Sequence, residues 1–496
     1  MMKKIAFLLI MIMPVLAWGQ ELPENIKTTG GNTFKVKSVF PGDDSKAFLL
    51  PDGEEVYIVP ATYKGYLCYR FDNNMNLIKR ITINLMENDL GYQQNIEYIN
   101  ENIYLFLGEY DQTVKVFRLY VKIFDVKSET ISDRKELYTI PSDMKSAELI
   151  ENVIVSEDRG KFAVINKCVS CTDNPILKLS CYDSDLNLLW SQDGLEWDQQ
   201  DLYMNNFQID NEGNVYRLHL SNFDGTNKLA FSVYRSDEDG AHSTAIELED
   251  HVFFDISFNV NNKSGAVTMF YGNNQCAARG VAYVEYDKEK DILRSPVLTE
   301  FPSELFANEM CTGKSTGLFS YEFRNLLPMP NGNYAFIAEQ NYDETIDYID
   351  EDVCRKELGS GSTIKGYNRG SLVIVIFSPE GKVLQFKKIP KIQQSYNSLH
   401  LGMASFVSGS SVYVLYNDNP QNDTLSNENK AIYKGDDNCS NILLRISEKG
   451  EVSRYVLPAD VNCKITPATV RVLNDNEVFY CGRLKSEYRA AKIRLN

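Results

Sequence analysis

The sequence contains few of the residues that most catalytic and nucleic-acid-binding sites require. Its 496 residues include only 4 histidines and 3 tryptophans. None of the four histidines has a partner at metal-ligand spacing, and HExxH, GxSxG and P-loop motifs are absent. Lys and Arg total 51 against 68 Asp and Glu, so the net charge of −17 argues against a nucleic-acid partner. We therefore predict no catalytic residues, no metal site and no cofactor.

Beyond residue 19 the sequence has no apolar run long enough to span a bilayer as a helix. Before it, Lys3 and Lys4 precede an apolar stretch, and small residues precede Gln20. This order is typical of a cleaved signal peptide at residues 1–19, with an uncleaved anchor as the alternative. Removal of the two lysines changes the net charge from −17 to −19. We expect residues 20–496 to be exported to the periplasm or beyond, and to reach the outer membrane only through a partner.

Strand and turn formers are abundant, with 29 Tyr, 25 Phe and 29 Gly. From Phe48 to Tyr480, short apolar runs alternate with tight polar turns, and pairs of such hairpins recur about every 50–75 residues. Two hairpins make a four-stranded antiparallel sheet, and this repeat is typical of propeller blades. We predict an all-β fold, a single β-propeller over residues 20–496. Tandem β-sandwiches are the alternative, but the sequence has no linker-like tract between them.

The repeat gives seven complete units and an incomplete eighth, residues 466–496, which supplies three strands. Residues 33–39 alternate in polarity and form an isolated strand at the other end of the chain. A propeller commonly closes by completing its last blade with one terminus, which removes exposed sheet edges. We therefore predict eight blades closed by an N-terminal strand, with seven blades as the alternative. The other interpretation of residues 33–39 is a loose arm.

The long connections all belong to one face of the predicted propeller, because the turns within each hairpin are short. The long segments are residues 166–176, 272–280, 299–318, 341–370 and 417–438. Long loops on a rigid scaffold are where binding residues usually occur. We expect this loop-rich face to be the functional one.

Seven of the ten cysteines fall in or beside those connections: Cys168, Cys171, Cys276, Cys311, Cys354, Cys439 and Cys463. In an exported protein, such cysteines more often form disulfides than metal sites. We predict the disulfides Cys168–Cys171 and Cys439–Cys463. A redox-active or zinc-binding CxxC is the weaker alternative for the first pair. The pairing of Cys276, Cys311 and Cys354 stays open.

Four short motifs occur in order in the sixth and seventh units. They are AEQ at residues 338–340, IPKIQ at 389–393, SF at 405–406 and YNDNPQN at 416–422. Together they resemble a group of uncharacterised exported β-propeller-like proteins of Bacteroidetes-type bacteria, with the pattern AEQ, KIPKxQ, SF and FNDNPxN. The chain departs from this pattern at Asn341, where those proteins carry tyrosines, and at Phe386, where they carry tryptophan. The resemblance implies export and a propeller fold.

The motif residues end strands or follow them at the loop-rich face of two adjacent blades. The candidate ligand-binding residues are Glu339, Gln340, Lys391, Gln393, Asn417, Asp418, Asn419 and Asn422. Opposite charges with amide side chains can orient a polar ligand. The alternative is that the same side chains cap strands and satisfy backbone groups in turns.

Two functions from different classes follow from these observations. The first is a non-catalytic binding or assembly module of the cell envelope, whose partner is an envelope protein or a glycan. The second is a carbohydrate-active enzyme, a glycoside hydrolase or lyase, that uses a carboxylate pair on the same face. The acidic stretch at residues 343–352 is interpreted as a solvated loop.

Overall fold

A computed structural model shows that the chain is built almost entirely of β-strands. The described residues are 22–36, 46–49, 55–60, 65–85, 94–141, 149–168, 176–196, 207–223, 226–235, 241–248, 251–261, 264–274, 277–306, 317–347, 363–424 and 430–495. Four single 3-10 turns occur among them, at Ser303–Phe306, Ser398–His400, Pro420–Asp423 and Pro467–Thr469. None of the helices in this part of the chain is long and apolar enough to cross a membrane.

The first half of the chain forms four antiparallel sheets that follow one another in sequence. Sheet 1 contains β2 (Lys46–Leu49), β3 (Glu55–Pro60), β4 (Gly65–Phe71) and β5 (Leu77–Asn84). Sheet 2 contains β6 (Gln94–Ile99), β7 (Asn102–Asp111), β8 (Val116–Asp125), β9 (Thr130–Ile131) and β10 (Lys135–Pro141). Sheet 3 contains β11 (Leu149–Val155), β12 (Lys161–Cys168), β13 (Ile176–Asp183) and β14 (Leu188–Glu196). Sheet 4 contains β15 (Phe207–Ile209), β16 (Val215–Phe223), β17 (Thr226–Tyr234) and β18 (Ala241–Leu248).

The second half repeats this arrangement with larger sheets. Sheet 5 contains β19 (Val252–Val260), β20 (Gly265–Asn274), β21 (Ala277–Asp287), β22 (Ile292–Leu293), β23 (Val297–Glu300) and β24 (Leu318–Phe319). Sheet 6 contains β25 (Tyr321–Pro328), β26 (Tyr334–Asp347), β27 (Thr363–Phe377), β28 (Val383–Ile389) and β29 (Gln393–Ser395). Sheet 7 contains β30 (Ala404–Ser408), β31 (Ser411–Asp418), β32 (Ser440–Ser447) and β33 (Val452–Val456). Sheet 8 contains β34 (Lys464–Ile465), β35 (Arg471–Asn474), β36 (Glu477–Leu484), β37 (Glu487–Leu495) and β1 (Ile26–Gly30).

The core is divided among the interfaces between neighbouring sheets, because each sheet places apolar side chains on both faces. Representative pairs, from sheets 1 and 2 round to sheets 8 and 1, are Cys68 with Leu105, Phe106 with Phe162, Ile165 with Val215, Leu218 with Met269, Phe270 with Phe336, Ile337 with Val414, Leu415 with Tyr480, and Phe479 with Phe71. Full burial of one such side chain contributes about 1.5–3 kcal/mol. The predicted all-β propeller of four-stranded antiparallel sheets is therefore confirmed. The eight described sheets support eight blades over seven, and the blade count itself stays a prediction.

The N-terminal segment completes the last sheet, although its strand begins earlier than the sequence indicates. β1 pairs antiparallel with β37, with Ile26 opposite Leu495. Ile26 belongs to the apolar cluster between sheets 7 and 8, and this burial explains why the earlier segment is the one that pairs. Of residues 33–39, Phe34 makes a single bridge to Tyr488, and residues 37–39 lie outside the described part.

The predicted loop at residues 341–370 is in part an extension of the sheet. β26 and β27 stay paired past the end of the other strands of sheet 6, as far as Asp347 opposite Thr363. Thr345, Ile346 and Tyr367 favour this extended conformation because β-branched and aromatic residues suit strands. The tip of this hairpin lies outside the described residues.

Candidate functional site

The centre of the predicted site is a buried ion pair between Glu339 and Lys391. Glu339 lies on β26 and Lys391 follows β28, and their side chains are 1% and 0% exposed. The Lys391 amine is 2.7 Å from Glu339 Oε1, while Arg324 Nε on β25 donates to Glu339 Oε2 at 3.0 Å. Burial lowers the pKa of the Lys391 amine, and the Glu339 carboxylate opposes that shift. The pair therefore depends on mutual compensation, and loss of either partner leaves a buried charge.

Amide groups extend this pair toward sheet 7. Lys391 Nζ donates to Gln393 Oε1 at 2.9 Å, and Gln393 Nε2 donates to the carbonyl of Asn417 at 2.7 Å. The Gly402 N–H also donates to Gln393 Oε1, at 2.7 Å. Gly402 has φ +86° beside the Glu339 carboxylate, a conformation that a residue with a side chain rarely adopts. These contacts hold the backbone at Gly402 next to the ion pair of Glu339 and Lys391.

Asn417 uses its whole side-chain amide to join sheet 7 to sheet 8. Its Nδ2 donates to the carbonyls of His400 (2.9 Å) and Ile465 (2.7 Å). Its Oδ1 accepts from the Ile465 N–H (3.0 Å) and from Asn441 Nδ2 (2.9 Å). His400 is buried in the same place, and burial lowers the pKa of its imidazole to about 4. All of these bonds are internal, so this amide acts as a fixed brace.

Asp418 holds the next turn in the same way. Its carboxylate lies 3.1 Å from Arg454 Nη2 and accepts from Asn422 Nδ2 at 2.7 Å and from the Asn419 N–H at 2.9 Å. The Asn422 amide in turn pairs with the backbone of Ala431 in both directions. Arg454 is 4% exposed, so the guanidinium and the Asp418 carboxylate share a dry environment.

Seven of the eight predicted ligand-binding residues therefore lie together at one end of sheets 6 and 7. We call Glu339, Lys391, Gln393, Asn417 and Asp418 the Lys391 network. Gln340 is the exception, because its side chain donates to the Phe319 carbonyl at 3.3 Å on the other side of β26. The side chains of the network form their hydrogen bonds with other groups of the protein, as expected for residues that stabilise the local backbone. Direct contact with a ligand stays a prediction.

The predicted Cys439–Cys463 disulfide is not formed, since both residues are buried free thiols. Cys439 packs with Leu401 and Tyr433, whereas Cys463 lies in the apolar cluster between sheets 7 and 8. The amides of Asn441 and Asn462 link the two segments instead, through the backbones of Cys463 and Cys439. Burial raises the pKa of the Cys439 thiol to about 12, which keeps it protonated and unreactive.

The other cysteine prediction concerns Cys168 and Cys171. Cys171 lies outside the described residues, as do Cys276, Cys311 and Cys354, so the predicted pairing stays a prediction.

Above the Lys391 network, three large apolar side chains face solvent. Ile392 and Ile432 are each 40% exposed and Tyr396 is 46% exposed. Gln393 and Tyr433 form a parallel bridge and are both buried, so the residues before them, Ile392 and Ile432, point together to the outside. We call Ile392 and Ile432, together with the exposed Tyr396 four residues after Ile392, the apolar patch. The patch was not predicted from the sequence, because Ile392 and Ile432 lie 40 residues apart in the chain.

A second charged region, also missed, lies where sheets 5 and 6 meet at their first strands. Asp255 interrupts the apolar run of β19 at a bulge and has φ 52°, and among the described residues it is the only non-glycine residue inside a strand with positive φ. Its carboxylate accepts the backbone N–H of Phe323 on β25. Burial raises the pKa of Asp255 to about 6, assisted by the charge of Glu322 and opposed by that of Arg324. An aspartate within an apolar strand is the signal that could have revealed it.

Arg324 connects this region to the Lys391 network. It is the extra residue of a bulge on β25, and it lies between Glu322 (3.5 Å) and Glu339 (3.0 Å), which face each other across strands β25 and β26. The guanidinium thus offsets the repulsion between two opposed carboxylates. Glu322 is 48% exposed and Arg324 28% exposed, so this end of the charged chain meets water. We call Asp255, Glu322 and Arg324 the Asp255 centre.

Comparison with known proteins finds similarity in fold only. No family profile and no curated protein matches the sequence. Among solved structures, the chain is similar to the Dos1 propeller (11% identity, 78% of this chain and 90% of that one, TM-score 0.36). It is also similar to the β-propeller domain of the trilobed protease from Pyrococcus furiosus (8% identity, 86% and 97%, TM-score 0.36). A polysaccharide lyase, Uly1, shows a comparable likeness (10% identity, 84% and 91%, TM-score 0.39). Two of these structures are described as propellers, and likeness at this level indicates no activity.

Proposed function

We propose that this protein is an exported binding or assembly module of the cell envelope, which acts without catalysis through the loop-rich face of sheets 6 and 7. The observation that carries the proposal is the apolar patch, held over a network of buried internal hydrogen bonds. Large apolar side chains that share a rigid surface are typical of protein-binding sites. A fixed backbone also lowers the entropy cost of binding.

The partner that best fits this patch is an envelope protein with an apolar contact of its own. Ile392, Tyr396 and Ile432 supply apolar contact area, and Tyr396 adds an aromatic anchor of the kind enriched at protein interfaces. The resemblance to exported proteins of Bacteroidetes-type bacteria supports the envelope location. The N-terminal signal sequence would direct export whether or not it is cleaved afterwards.

The alternative activity, a carbohydrate-active enzyme, needs two carboxyl groups that can reach a substrate. Glu339 and Asp418 are the carboxylates of the predicted site, and their side chains are 1% and 3% exposed within ion pairs. This arrangement favours the binding function at sheets 6 and 7.

The test is capture of envelope proteins by immobilised full-length protein, with single charges introduced on the surface. Ile392→Asp and Ile432→Asp should each abolish the capture of bands that the unmodified protein retains. Leu384→Asp is the matched control, because Leu384 is also 40% exposed but lies on the outer strand β28. Equal capture by all three variants would reject the patch, and capture of glycan without protein would change the class of partner.

A further inference from the structure

The Asp255 centre combines several features that cost stability. Positive φ at a residue other than glycine costs about 1 kcal/mol or more, even for aspartate, which tolerates it better than most. A half-buried carboxylate in an apolar strand loses hydration as well. An asparagine at the same place would accept the Phe323 N–H at lower cost. Strain and desolvation of this kind concentrate at functional sites.

Two bulges place the groups of the centre side by side. Asp255 and Ile256 oppose a single residue of β20, and Arg324 is the extra residue on β25. β19 and β25 are the first strands of neighbouring sheets and contact each other directly. Bulges re-aim side chains, and they are enriched next to active sites. Here both occur at the same junction of first strands.

First strands line the axis of a propeller, so side chains exposed on them face its central channel. Glu322 is 48% exposed on β25, next to the half-buried Asp255 and Arg324. Phe254 and Phe323, the chain neighbours of Asp255 and Glu322, pack instead against the apolar cluster between sheets 5 and 6. Carboxylate acceptors and guanidinium donors are thus exposed to solvent together.

The balance of charge indicates the class of ligand. Among the described groups of this junction, Glu322 and Glu339 are offset by Arg324 and Lys391, so the net charge is set by Asp255. A polyanion would be repelled by the exposed carboxylates, and a polycation by the guanidinium. Carboxyl groups accept hydrogen bonds and the guanidinium donates them, a combination that suits hydroxyl groups, which do both.

We propose that the Asp255 centre is a binding site for a neutral, hydroxyl-rich ligand of the saccharide class, with Asp255 and Glu322 as direct contacts. Asp255 and Arg324 each keep one bond to the protein, to the Phe323 N–H and to Glu339, and these bonds fix their orientation. The site is separate from the apolar patch, so either proposal can fail without the other.

Calorimetric titration of the full chain with xylohexaose, mannohexaose and cellohexaose tests this assignment, with polygalacturonate and spermine as charged probes. At least one neutral hexasaccharide should bind, and Glu322→Gln should weaken that binding about tenfold through loss of a charge-assisted hydrogen bond. Asp255→Asn should weaken it while the protein melts at the same or a higher temperature at pH 7.5. Glu380→Gln, on an exposed short turn, is the control and should bind normally.

Three results would overturn the proposal. The first is no binding of any neutral hexasaccharide. The second is binding of polygalacturonate or spermine only. The third is unchanged binding by Asp255→Asn and Glu322→Gln, which would make the strained aspartate a feature of the fold alone.

Discussion

The Lys391 network and the Asp255 centre are joined through Arg324, yet they treat charge in opposite ways. In the network, every charge is buried, paired and supported by amides. In the centre, the charges lie on bulged strands, partly in water, and one carboxylate has a pKa raised to about 6. Compensated charge stabilises a unique backbone, whereas uncompensated charge is retained at a cost. This difference distinguishes residues that stabilise the binding face from residues that are available to contact a ligand.

The largest effect should come from removing a charge inside the network. Asp418→Ala leaves the buried Arg454 with only the partly exposed Asp423 as a partner and releases Asn422, so we expect a loss of about 3 kcal/mol in the free energy of unfolding. Asp423 binds the same Arg454 nitrogen at 3.0 Å but is 25% exposed. Asp423→Ala should therefore cost clearly less. Urea unfolding of both variants measures the difference, and equal losses would contradict the contrast in burial.

A smaller loss should follow removal of an amide. Asn417→Ala strands the backbone groups of Ile465 and the carbonyl of His400, and a buried unsatisfied group costs about 1–3 kcal/mol. Asn419→Ala is the comparison, because Asn419 caps a short 3-10 turn near the surface through the Gln421 N–H. A cap is worth about 1 kcal/mol. Thermal melts should rank the two variants in this order, and the reverse order would mean that the amide at 417 is dispensable.

Much of the fold was predictable from the sequence, because hairpin turns and alternating apolar residues are local signals. Export and the class of partner were also inferred from local sequence features, and they remain predictions. The last sheet shows the limit, since the choice of Ile26–Gly30 over residues 33–39 depends on a cluster formed by distant strands. The motif residues were correctly grouped on two blades. Their burial was not predictable from the sequence, because it depends on ion pairs with Lys391, Arg324 and Arg454 from separate segments of the chain.

The Asp255 centre was not predictable as a site, although Asp255 is visible as a lone acid in an apolar run. Its partners Glu322 and Arg324 come from the next sheet and are brought near by two bulges. A bulge changes which face a side chain meets and leaves no reliable mark in a single sequence.

The smallest effect on stability should be a gain. The pKa of Asp255 is raised from 3.8 to about 6 in the folded protein, so the ionised form is disfavoured by folding. Ionisation of Asp255 does not reduce the free energy of unfolding below about pH 4, and the free energy of unfolding falls as pH rises through about 6. Asp255→Asn should therefore add about 1–2 kcal/mol at pH 7.5 and almost nothing at pH 4. Melting curves across this pH range test the prediction, and a gain independent of pH would contradict the desolvation argument.

The most direct test of the account is Lys391→Ala, measured for melting temperature and envelope-protein capture on the same preparation. If the Lys391 network is a brace, the melting temperature falls steeply, because Glu339 loses its buried partner and keeps only the partly exposed Arg324. Lys382→Ala, at an exposed turn, should leave both measurements unchanged. An unchanged melting temperature together with loss of capture would contradict the account, since it would make Lys391 a contact for the partner.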